Sequence, residues 1–222
     1  MRRTIILANG QFPRRKEALQ AMLEAETLIC CDGAYDKLVE SQLFSHAARL
    51  PQVVVIGDGD SLTQKEPTFP TVFVSEYTDQ ETNDLTKVVR YALAHDLERL
   101  IILGATGLRE DHTLGNISLL ANYSSMTTPS GNPLIVRLYT DYGFFTPITK
   151  TTTFPSFVGQ QVSLFSLDEK LIISVEGLKF SIDHRRLHYW WEGTLNEALG
   201  DRFTVALSGT GTMLVYQTFE AK

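Results

Sequence analysis

Short apolar runs alternate with helix-like apolar patterns over roughly the first two-thirds of the chain. The apolar runs predict six strands, at residues 4–8, 27–31, 53–56, 71–74, 100–103 and 133–139. A repeat of three to four positions predicts helices at 15–25, 83–95 and 111–123. In the last helix we expect an inward-facing apolar side formed by Leu114, Ile117, Leu120 and Ala121. Strands that alternate with helices predict a parallel sheet covered on both faces.

The pattern changes near residue 147, where short strands punctuated by Gly, Asp and Asn replace the helices. Strands are predicted at 161–167, 170–175, 202–207 and 212–219, which indicates a small antiparallel sandwich or barrel. For Trp190 and Trp191 two interpretations stay open, the sandwich core and a ligand platform, and the core is favoured. The predicted architecture is a Rossmann-like, three-layer α/β domain at residues 1–146 and an all-β domain at residues 147–222.

Charge and hydropathy argue against two classes of partner. The 222 residues include 20 Lys and Arg and 26 Asp and Glu, and no basic run suggests a nucleic-acid groove. No stretch approaches the roughly 20 apolar residues of a membrane span, and the first residues lack the apolar region of a signal peptide. Cys30 and Cys31 are adjacent within an apolar run, which favours buried thiols over a structural disulfide. We therefore expect a cytoplasmic protein.

Small and acidic residues follow the strands of the predicted parallel sheet. The strand ends carry Asn9-Gly10, Asp32-Gly33-Ala34, Gly57–Ser61, Gly104–Gly107 and Thr140–Gly143. Because open parallel sheets bind ligands at the carboxyl ends of their strands, this distribution favours a nucleotide or phosphate ligand. Neither a Walker A sequence nor a GxGxxG after the first strand is present.

The segment GDGDS at residues 57–61 carries two carboxylates, Asp58 and Asp60, one residue apart. Asp84, at the start of a predicted helix, supplies a third carboxylate. Carboxylate oxygens are the ligands that Mg²⁺ prefers, and Mg²⁺ sites commonly combine few carboxylates with substrate phosphates. A solvated turn is the alternative, because Gly, Asp and Ser are common turn residues. The position directly after a strand favours the metal site.

Basic side chains accompany these carboxylates. Arg109 precedes a predicted helix N-terminus, and both a guanidinium and a helix N-terminus attract phosphate. Lys87 lies three residues after Asp84 and therefore on nearly the same helix face. His112 follows Asp111 at a helix start, where a capping role competes with a functional one.

The ordered segments GDGDS, DQETNDLTK, GATGLREDHTLGN, GLKF and GTLNE resemble the thiamine pyrophosphokinase family. The resemblance begins with ILANG at residues 6–10 and CDGA at 31–34 and extends over nearly the whole chain. It implies transfer of the diphosphate of ATP to the thiamine hydroxyl, with Mg²⁺ as cofactor and AMP as leaving group. It also implies a homodimer whose active sites combine the catalytic domain of one subunit with the β domain of the other.

Residue roles follow from the same resemblance. It assigns metal binding to Asp58, Asp60 and Asp84, and a catalytic role to these three and Asp111. It assigns nucleotide binding to Asn9, Asp32, Gly33, Ser61, Gln80, Lys87, Gly104, Arg109 and His112. It assigns thiamine binding to Asp84, Phe180, Asn196 and Glu197. The acceptor of the hydroxyl proton stays open between Asp84 and Asp111.

Departures from the family pattern and other function classes complete the interpretation. Asn83 stands where the family commonly has Thr, and Leu195 stands where Ser is common. A metal-dependent nucleotide-sugar glycosyltransferase would also use an Asp-X-Asp segment after a strand, but would not require the later motifs in this order. A non-catalytic nucleotide or thiamine sensor is the second alternative, against which the three carboxylates argue.

Overall fold

The computed structural model describes residues 4–47, 49–57, 71–74 and 82–221. These residues form two compact units, of which the first runs to Leu119 and also includes Ser125–Asp141. The second unit contains Leu120–Ser124 and the chain from Tyr142 onward. The predicted division after residue 146 falls inside a strand at Gly143–Ile148, and the domain boundary stays a prediction. Within the described ranges, no helix combines the length and apolar character needed to cross a membrane.

A parallel sheet forms the centre of the first unit. Its strands are β1 (Thr4–Leu7), β2 (Thr27–Cys31), β3 (Gln52–Ile56), β4 (Thr71–Val74), β5 (Arg99–Leu103) and β6 (Ile135–Tyr139). They lie in the order β6-β5-β1-β2-β3-β4, and each neighbouring pair is parallel. The strand order switches direction at β1, which has β2 on one side and β5 on the other. Ligands of open α/β sheets bind beside such a switch.

Helices connect these strands. They are α1 (Lys16–Leu23), α2 (Ala34–Glu40), α3 (Asp84–Ala94) and α4 (Glu110–Tyr123). The sequence pattern does not predict α2, because its seven residues make about two turns and give too short a window for a helical period. The predicted orientation of α4 was wrong for Leu114, which is 52% exposed, whereas Leu120 and Tyr123 are the buried residues of this helix.

The close packing of the first unit's core fixes the positions of its strand ends. The strands β1, β2 and β3 are buried at almost every position, as their continuous apolar sequences predict. Ile5, Leu28 and Val53 from these strands pack in one cluster with Met22 of α1 and Leu38 of α2. Such close packing leaves little freedom for the residues that follow each strand.

The second unit is an antiparallel sandwich. Its strands are β7 (Gly143–Ile148), β8 (Thr152–Pro155), β9 (Gln160–Ser166), β10 (Ile172–Glu176), β11 (Asn196–Glu197), β12 (Arg202–Ser208) and β13 (Met213–Ala221). They pair in the orders β11-β9-β13-β7 and β10-β12-β8. Leu164, Phe203 and Val215 share the core between these two layers. The predicted fold class, a parallel α/β arrangement followed by an all-β one, is confirmed.

The two tryptophans lie outside that core, so the favoured interpretation was wrong. A single 3-10 turn spans Trp190–Gly193, and the exposed fractions of Trp190 and Trp191 are 43% and 72%. Gly193 approaches the carbonyl oxygen of Leu164 so closely that a Cβ would overlap with it. The turn therefore packs against β9 through its glycine. Trp190 contacts the edge of the Phe165 ring and stays partly exposed, whereas Trp191 is mostly in solvent.

Candidate functional site

A pocket of about 430 Å³ lies in the first unit at the carboxyl ends of β1, β2 and β5. It is lined by residues from five segments of this unit: Ala8, Asn9, Gly10, Cys31, Asn83, Asp84, Leu85, Ala105, Thr106, Leu108, Arg109, His112, Thr113 and Asn116. The structure therefore brings together four of the sequence-predicted site residues, namely Asn9, Asp84, Arg109 and His112.

Two glycines lock the loops after β1 and β5 to each other. The backbone N–H of Gly10 donates to the carbonyl oxygen of Gly104 at 2.6 Å, and that of Gln11 donates to Thr106 at 2.9 Å. A Cβ on Gly10 would overlap with the Gly104 carbonyl, and Gly104 itself has a φ of 66°. Gly104 was predicted to bind nucleotide. In the structure its conformation allows the two loops to approach each other, which brings Asn9 and Thr106 to the pocket.

Asp32 is held at the end of β2 by its backbone and by Gly57. It is 8% exposed, has a φ of 30°, and its N–H donates to the carbonyl oxygen of Ile56 at 2.9 Å. A Cβ on Gly57 would lie 2.6 Å from the Asp32 Cβ, so only glycine leaves room for this carboxylate. Gly33 then provides the N-cap of α2.

Two carboxylates at this edge of the sheet, those of Asp84 and Asp32, both influence the pKa of Cys31. Burial raises the pKa of the Cys31 thiol, and the nearby Cys30, Asp84 and Asp32 raise this pKa further. Asp84 and Asp32 thus act on the same buried thiol, although they come from different segments. Burial likewise raises the pKa of Cys30, and both cysteines are free, so neither is set up as a reactive thiolate.

Asn83 and Asp84 begin α3 beside the pocket. The Asn83 side-chain oxygen accepts the N–H of Thr86 at 2.8 Å, which is an N-cap. Asn and Thr are both good N-caps, so an asparagine at position 83 suits the start of this helix. Lys87 lies one turn further and donates to Asp84 Oδ1 at 3.1 Å. The Lys87 side chain is only 16% exposed, whereas that of Asp84 is 59% exposed.

Arg109 and Asp111 form a two-point ion pair at the start of α4. Arg109 Nε and Nη2 lie 3.1 and 2.5 Å from the two carboxylate oxygens of Asp111. The backbone N–H of His112 also donates to Asp111 Oδ1, at 2.9 Å. The hydrogen bonds from Arg109 and from this N–H lower the pKa of Asp111 to about 2. Arg109 and His112 border the pocket, while the carboxylate of Asp111 is already bonded to its neighbours.

Sequence reasoning missed the polar side of α4. Thr113 and Asn116 line the pocket with His112, and Asn116 Nδ2 donates to the carbonyl oxygen of Ala105 at 2.8 Å. Asn116 lies four residues after His112 and three after Thr113, which are the spacings of one helix face, so helical periodicity could have identified Asn116 from His112 and then Thr113. Leu114 lies on a different face of α4 from His112 and Asn116, and its predicted burial was therefore wrong.

Two residues at this edge of the sheet carry the type of ligand atom that a hard divalent cation binds. Asp84 and Asp32 offer carboxylate oxygens at one edge of the sheet, the ligand type that Mg²⁺ prefers. The predicted site residues Asp58, Asp60, Ser61 and Gln80 lie outside the described residues. Among the residues that the structure describes, no group of three or more His, Cys, Asp or Glu side chains is arranged to hold a metal.

The second unit holds the other predicted ligand residues close together, where the segment that carries Phe180 runs beside β11. Phe180 is 59% exposed, whereas Asn196 is 3% exposed. Asn196 Oδ1 accepts the Phe180 N–H at 2.9 Å, and its Nδ2 donates to the Phe180 carbonyl oxygen at 2.7 Å. Glu197 Oε2 lies 3.3 Å from Lys179 Nζ, and this ammonium lies 5.9 Å from the Phe180 ring centroid. Asn196 thus supports the Phe180 backbone, and the Phe180 ring is the accessible group.

Leu195 sits next to this pairing in an unfavourable backbone conformation. Its φ is 59°, and its side chain is 70% exposed. A left-handed conformation costs an L-residue with a Cβ about 1–2 kcal/mol. Its N–H donates to Ser163 Oγ at 3.2 Å, which helps to hold the turn. The residue where the family commonly has Ser is therefore an exposed leucine that presents its side chain to solvent.

Two family models match the chain in succession. "Thiamin pyrophosphokinase, catalytic domain" matches residues 18–129, and "Thiamin pyrophosphokinase, substrate-binding domain" matches residues 143–216. The curated protein "Thiamine pyrophosphokinase 2" of Arabidopsis thaliana is 30% identical over 140 residues, which are 55% of this chain and 52% of that protein. The match thus spans about half the length of that relative.

Solved structures share the fold. The structure of thiamine pyrophosphokinase from Bacillus subtilis has a TM-score of 0.74 at 20% identity, covering 98% of this chain and 99% of that one. The thiamin pyrophosphokinase from Candida albicans has a TM-score of 0.77 at 16% identity, covering 98% and 90%. At these identities the likeness establishes the fold.

Proposed function

The chain belongs to the thiamin pyrophosphokinase family, and we propose that it transfers the diphosphate of ATP to the hydroxyl of thiamine. The observation that carries this proposal is the order of the two family matches, a catalytic domain followed by a substrate-binding domain. The pocket at the carboxyl ends of the parallel strands supports it, because it combines a carboxylate with a guanidinium. The glycosyltransferase alternative is not favoured, because neither matched family describes that reaction.

In the proposed reaction, the thiamine hydroxyl oxygen forms a bond to the β-phosphorus of ATP. The bond from this phosphorus to the α–β bridging oxygen breaks, AMP leaves, and the hydroxyl proton passes to a base. Catalysis of such a transfer rests mainly on positioning and on stabilisation of negative charge. Arg109 borders the pocket and its side chain is 72% exposed, so it is accessible to phosphate oxygens. Lys87 adds a second positive charge beside Asp84.

Magnesium would be held by Asp58, Asp60 and Asp84 in this proposal. When bound, it supplies positive charge that offsets the charge of the reacting phosphates. Asp84 projects from the first turn of α3, and its ion pair with Lys87 sets the direction of one carboxylate oxygen. Asn9, Asp32, Gly33, Ser61, Gln80, Gly104 and His112 complete the proposed nucleotide site.

Asp84 is the better candidate for the base. Asp111 accepts two hydrogen bonds from Arg109 and one from the His112 N–H, and its pKa is about 2. A carboxylate with so low a pKa takes up a proton poorly near neutral pH. In the proposal, Asp111 fixes the Arg109 guanidinium, and Asp84 accepts the proton.

The thiamine side of the site is assigned to Phe180, Glu197 and Asp84. Phe180 offers an accessible ring, and a cationic thiazolium gains about 0.5–2 kcal/mol over an aromatic face. We further propose that the protein works as a homodimer in which this ring closes the site of the partner subunit. Supporting this, the second unit exposes several large side chains that a partner would cover, among them Tyr189, Trp191 and Leu195 at 65%, 72% and 70%.

The experiment that tests the reaction is product analysis with purified protein, ATP, Mg²⁺ and thiamine. The proposal predicts AMP and thiamine diphosphate in equal amounts. Formation of ADP with thiamine monophosphate would instead assign ordinary single-phosphoryl transfer. Binding of ATP and thiamine without turnover would favour the non-catalytic sensor.

A further inference from the structure

A lysine outside the pocket holds the backbone of one of its walls. Lys37 lies on α2 and donates from Nζ to two carbonyl oxygens, those of Asn9 at 2.8 Å and Gly10 at 2.7 Å. Both acceptors belong to the turn that follows β1, and both residues line the pocket. None of the sequence motifs includes Lys37, since α2 itself is not predicted.

The turn after β1 is fixed from its other side by the loop after β5. The N–H groups of Gly10 and Gln11 donate to Gly104 and Thr106, as described above. Lys37 binds the carbonyl oxygens, whereas the β5 loop binds the N–H groups. Without the ammonium, two carbonyl oxygens at the edge of the pocket would need new donors, and the turn would lose two hydrogen bonds from α2.

The environment of Lys37 differs from that of an ordinary surface lysine. A helical lysine is normally solvated and contributes little. Lys37 is partly buried, and burial lowers its pKa, opposed by the nearby Glu40. Two of its three N–H groups are used on backbone carbonyls of one turn. Since lysine is a charged donor, each of these hydrogen bonds is of the stronger kind.

We propose that Lys37 is a positioning residue for nucleotide binding, which acts by fixing the Asn9–Gly10 backbone. This inference rests on the proposed function in one respect, namely that the pocket takes ATP. It assigns no contact between Lys37 and the nucleotide, because Lys37 does not line the pocket. Its effect is therefore expected on ATP binding, with little effect on thiamine, whose proposed ring platform lies in the second unit.

The test compares Lys37→Met, which keeps the length of the side chain without its donors, with Lys37→Arg, which keeps a cationic donor. Lys16→Met is the matched control, since Lys16 is an exposed helical lysine of the same unit. Binding of ATP and of thiamine is measured separately by calorimetry, together with the unfolding temperature of each protein. We expect Lys37→Met to weaken ATP binding about tenfold, and Lys37→Arg and Lys16→Met to stay within about threefold of wild type.

Several outcomes would overturn the inference. The inference is wrong if Lys37→Met binds ATP within about threefold of wild type, the range expected of the controls. It is also wrong if Lys37→Met loses equal amounts of ATP binding and thiamine binding. If Lys37→Met is too unstable to measure, Lys37→Gln replaces it under the same criteria. Product analysis of the wild type separates the two proposals. If the wild type forms thiamine diphosphate and Lys37→Met binds ATP normally, only the role of Lys37 is rejected. If Lys37→Met binds ATP weakly but the wild type does not turn over, only the reaction is rejected. Absence of ATP binding by the wild type rejects both.

Discussion

The Asn196 carboxamide bonds to both backbone polar groups of Phe180, accepting from its N–H at 2.9 Å and donating to its carbonyl oxygen at 2.7 Å. Asn196 is almost fully buried and Phe180 is more than half exposed. A buried amide therefore supports an accessible aromatic ring. The sequence motifs group both residues as ligands of thiamine. In the structure Asn196 supports the backbone, and only the Phe180 ring is accessible to a ligand.

Replacing Asn196 should affect the thiamine side of the reaction. We expect Asn196→Ala to lower the free energy of unfolding by about 1–3 kcal/mol, because two partly buried backbone groups of Phe180 lose their partner. The KM for thiamine should rise more than the KM for ATP, since Phe180 belongs to the proposed thiamine platform. Steady-state kinetics with each substrate varied in turn, and denaturant unfolding, provide the two measurements.

Glu197→Gln serves as the control for the stability change of Asn196→Ala, and for that measurement alone, because Glu197 is itself assigned to the proposed thiamine site. Its exposed ion pair with Lys179 contributes little to stability, so the free energy of unfolding should change by less than about 1 kcal/mol. If Asn196→Ala left both the stability and the thiamine KM near wild type, the supporting role of Asn196 would be wrong.

Much of the fold could be predicted because its signals are local. The runs at 27–31 and 71–74 are strands with the predicted bounds, and the helical periods at α1, α3 and α4 are correct to within a few residues. Several of the elements that were not predicted are short, such as the seven-residue α2 and the two-residue β11. Such segments owe their structure to tertiary pairing, which no short window of sequence records.

The sequence indicates some residues of the pocket but not the hydrogen bonds that position them. Asn9, Asp84, Arg109 and His112 line one pocket because the strand-end rule applies to any parallel sheet. The pairing of Lys37 with the turn after β1, and of Asn196 with Phe180, depends on side chains that meet from 27 and 16 residues away. These contacts are set by the packing of whole elements, and neither spacing nor composition indicates them.

The pKa of Asp111 gives a test of the Arg109 pair. The hydrogen bonds from Arg109 and His112 favour the ionised form of Asp111 and lower its pKa to about 2. We expect NMR titration to find Asp111 ionised well below the ordinary aspartate pKa of about 4, and Arg109→Gln to raise this pKa. Because the folded-state pKa is below the unfolded value, any stabilisation from this pair is present above about pH 4 and lost as the pH falls toward 2.

A corresponding test concerns the pH dependence of activity. If Asp111 stays ionised over the pH range in which the protein is active, the fall in activity at low pH (the acid limb of the pH–rate profile) should not follow the titration of Asp111. Asp111→Asn should then lower activity through loss of Arg109 positioning and leave the apparent pKa of that limb unchanged. A shift of the acid limb in Asp111→Asn would restore Asp111 as a candidate base.

Gly57→Ala should disturb Asp32 without removing its carboxylate. The new methyl group would lie 2.6 Å from the Asp32 Cβ and 2.9 Å from its Cγ, so either the turn or the aspartate must shift. Overpacking of this kind typically costs about 1–3 kcal/mol. We expect a lower free energy of unfolding and weaker ATP binding, measured by denaturant unfolding and calorimetry.

Gly115→Ala is the matched control for Gly57→Ala. A Cβ at Gly115 meets nothing within 4 Å, and the residue lies in the interior of α4. Alanine has the higher helix propensity, so this variant should gain up to about 1 kcal/mol of stability while binding ATP normally. Equal behaviour of the two alanine variants would show that the close approach of Gly57 to Asp32 has no consequence.

The proposed shared site makes the sharpest prediction for the assembly. Asp58→Asn should keep the fold and lose most activity, since the amide keeps the shape of the side chain without the charge proposed to hold Mg²⁺. Phe180→Ala should raise the thiamine requirement more than the ATP requirement, because it removes the exposed ring while Asn196 can still bond its backbone. Each variant is assayed alone at a thiamine concentration where it turns over slowly.

Mixing the two variants then distinguishes shared sites from sites within one subunit. If each site takes its carboxylates from one subunit and its ring from the other, a mixed dimer contains one site with both defects and one with neither. Random exchange of equal amounts makes about half of the dimers mixed, so activity should recover to about a quarter of wild type. Subunit exchange is followed independently with a tag on one variant. Proven exchange without recovered activity, or a monomer by sedimentation at assay concentrations, would reject the shared site, because a site complete within one subunit retains one of the two defects in every dimer.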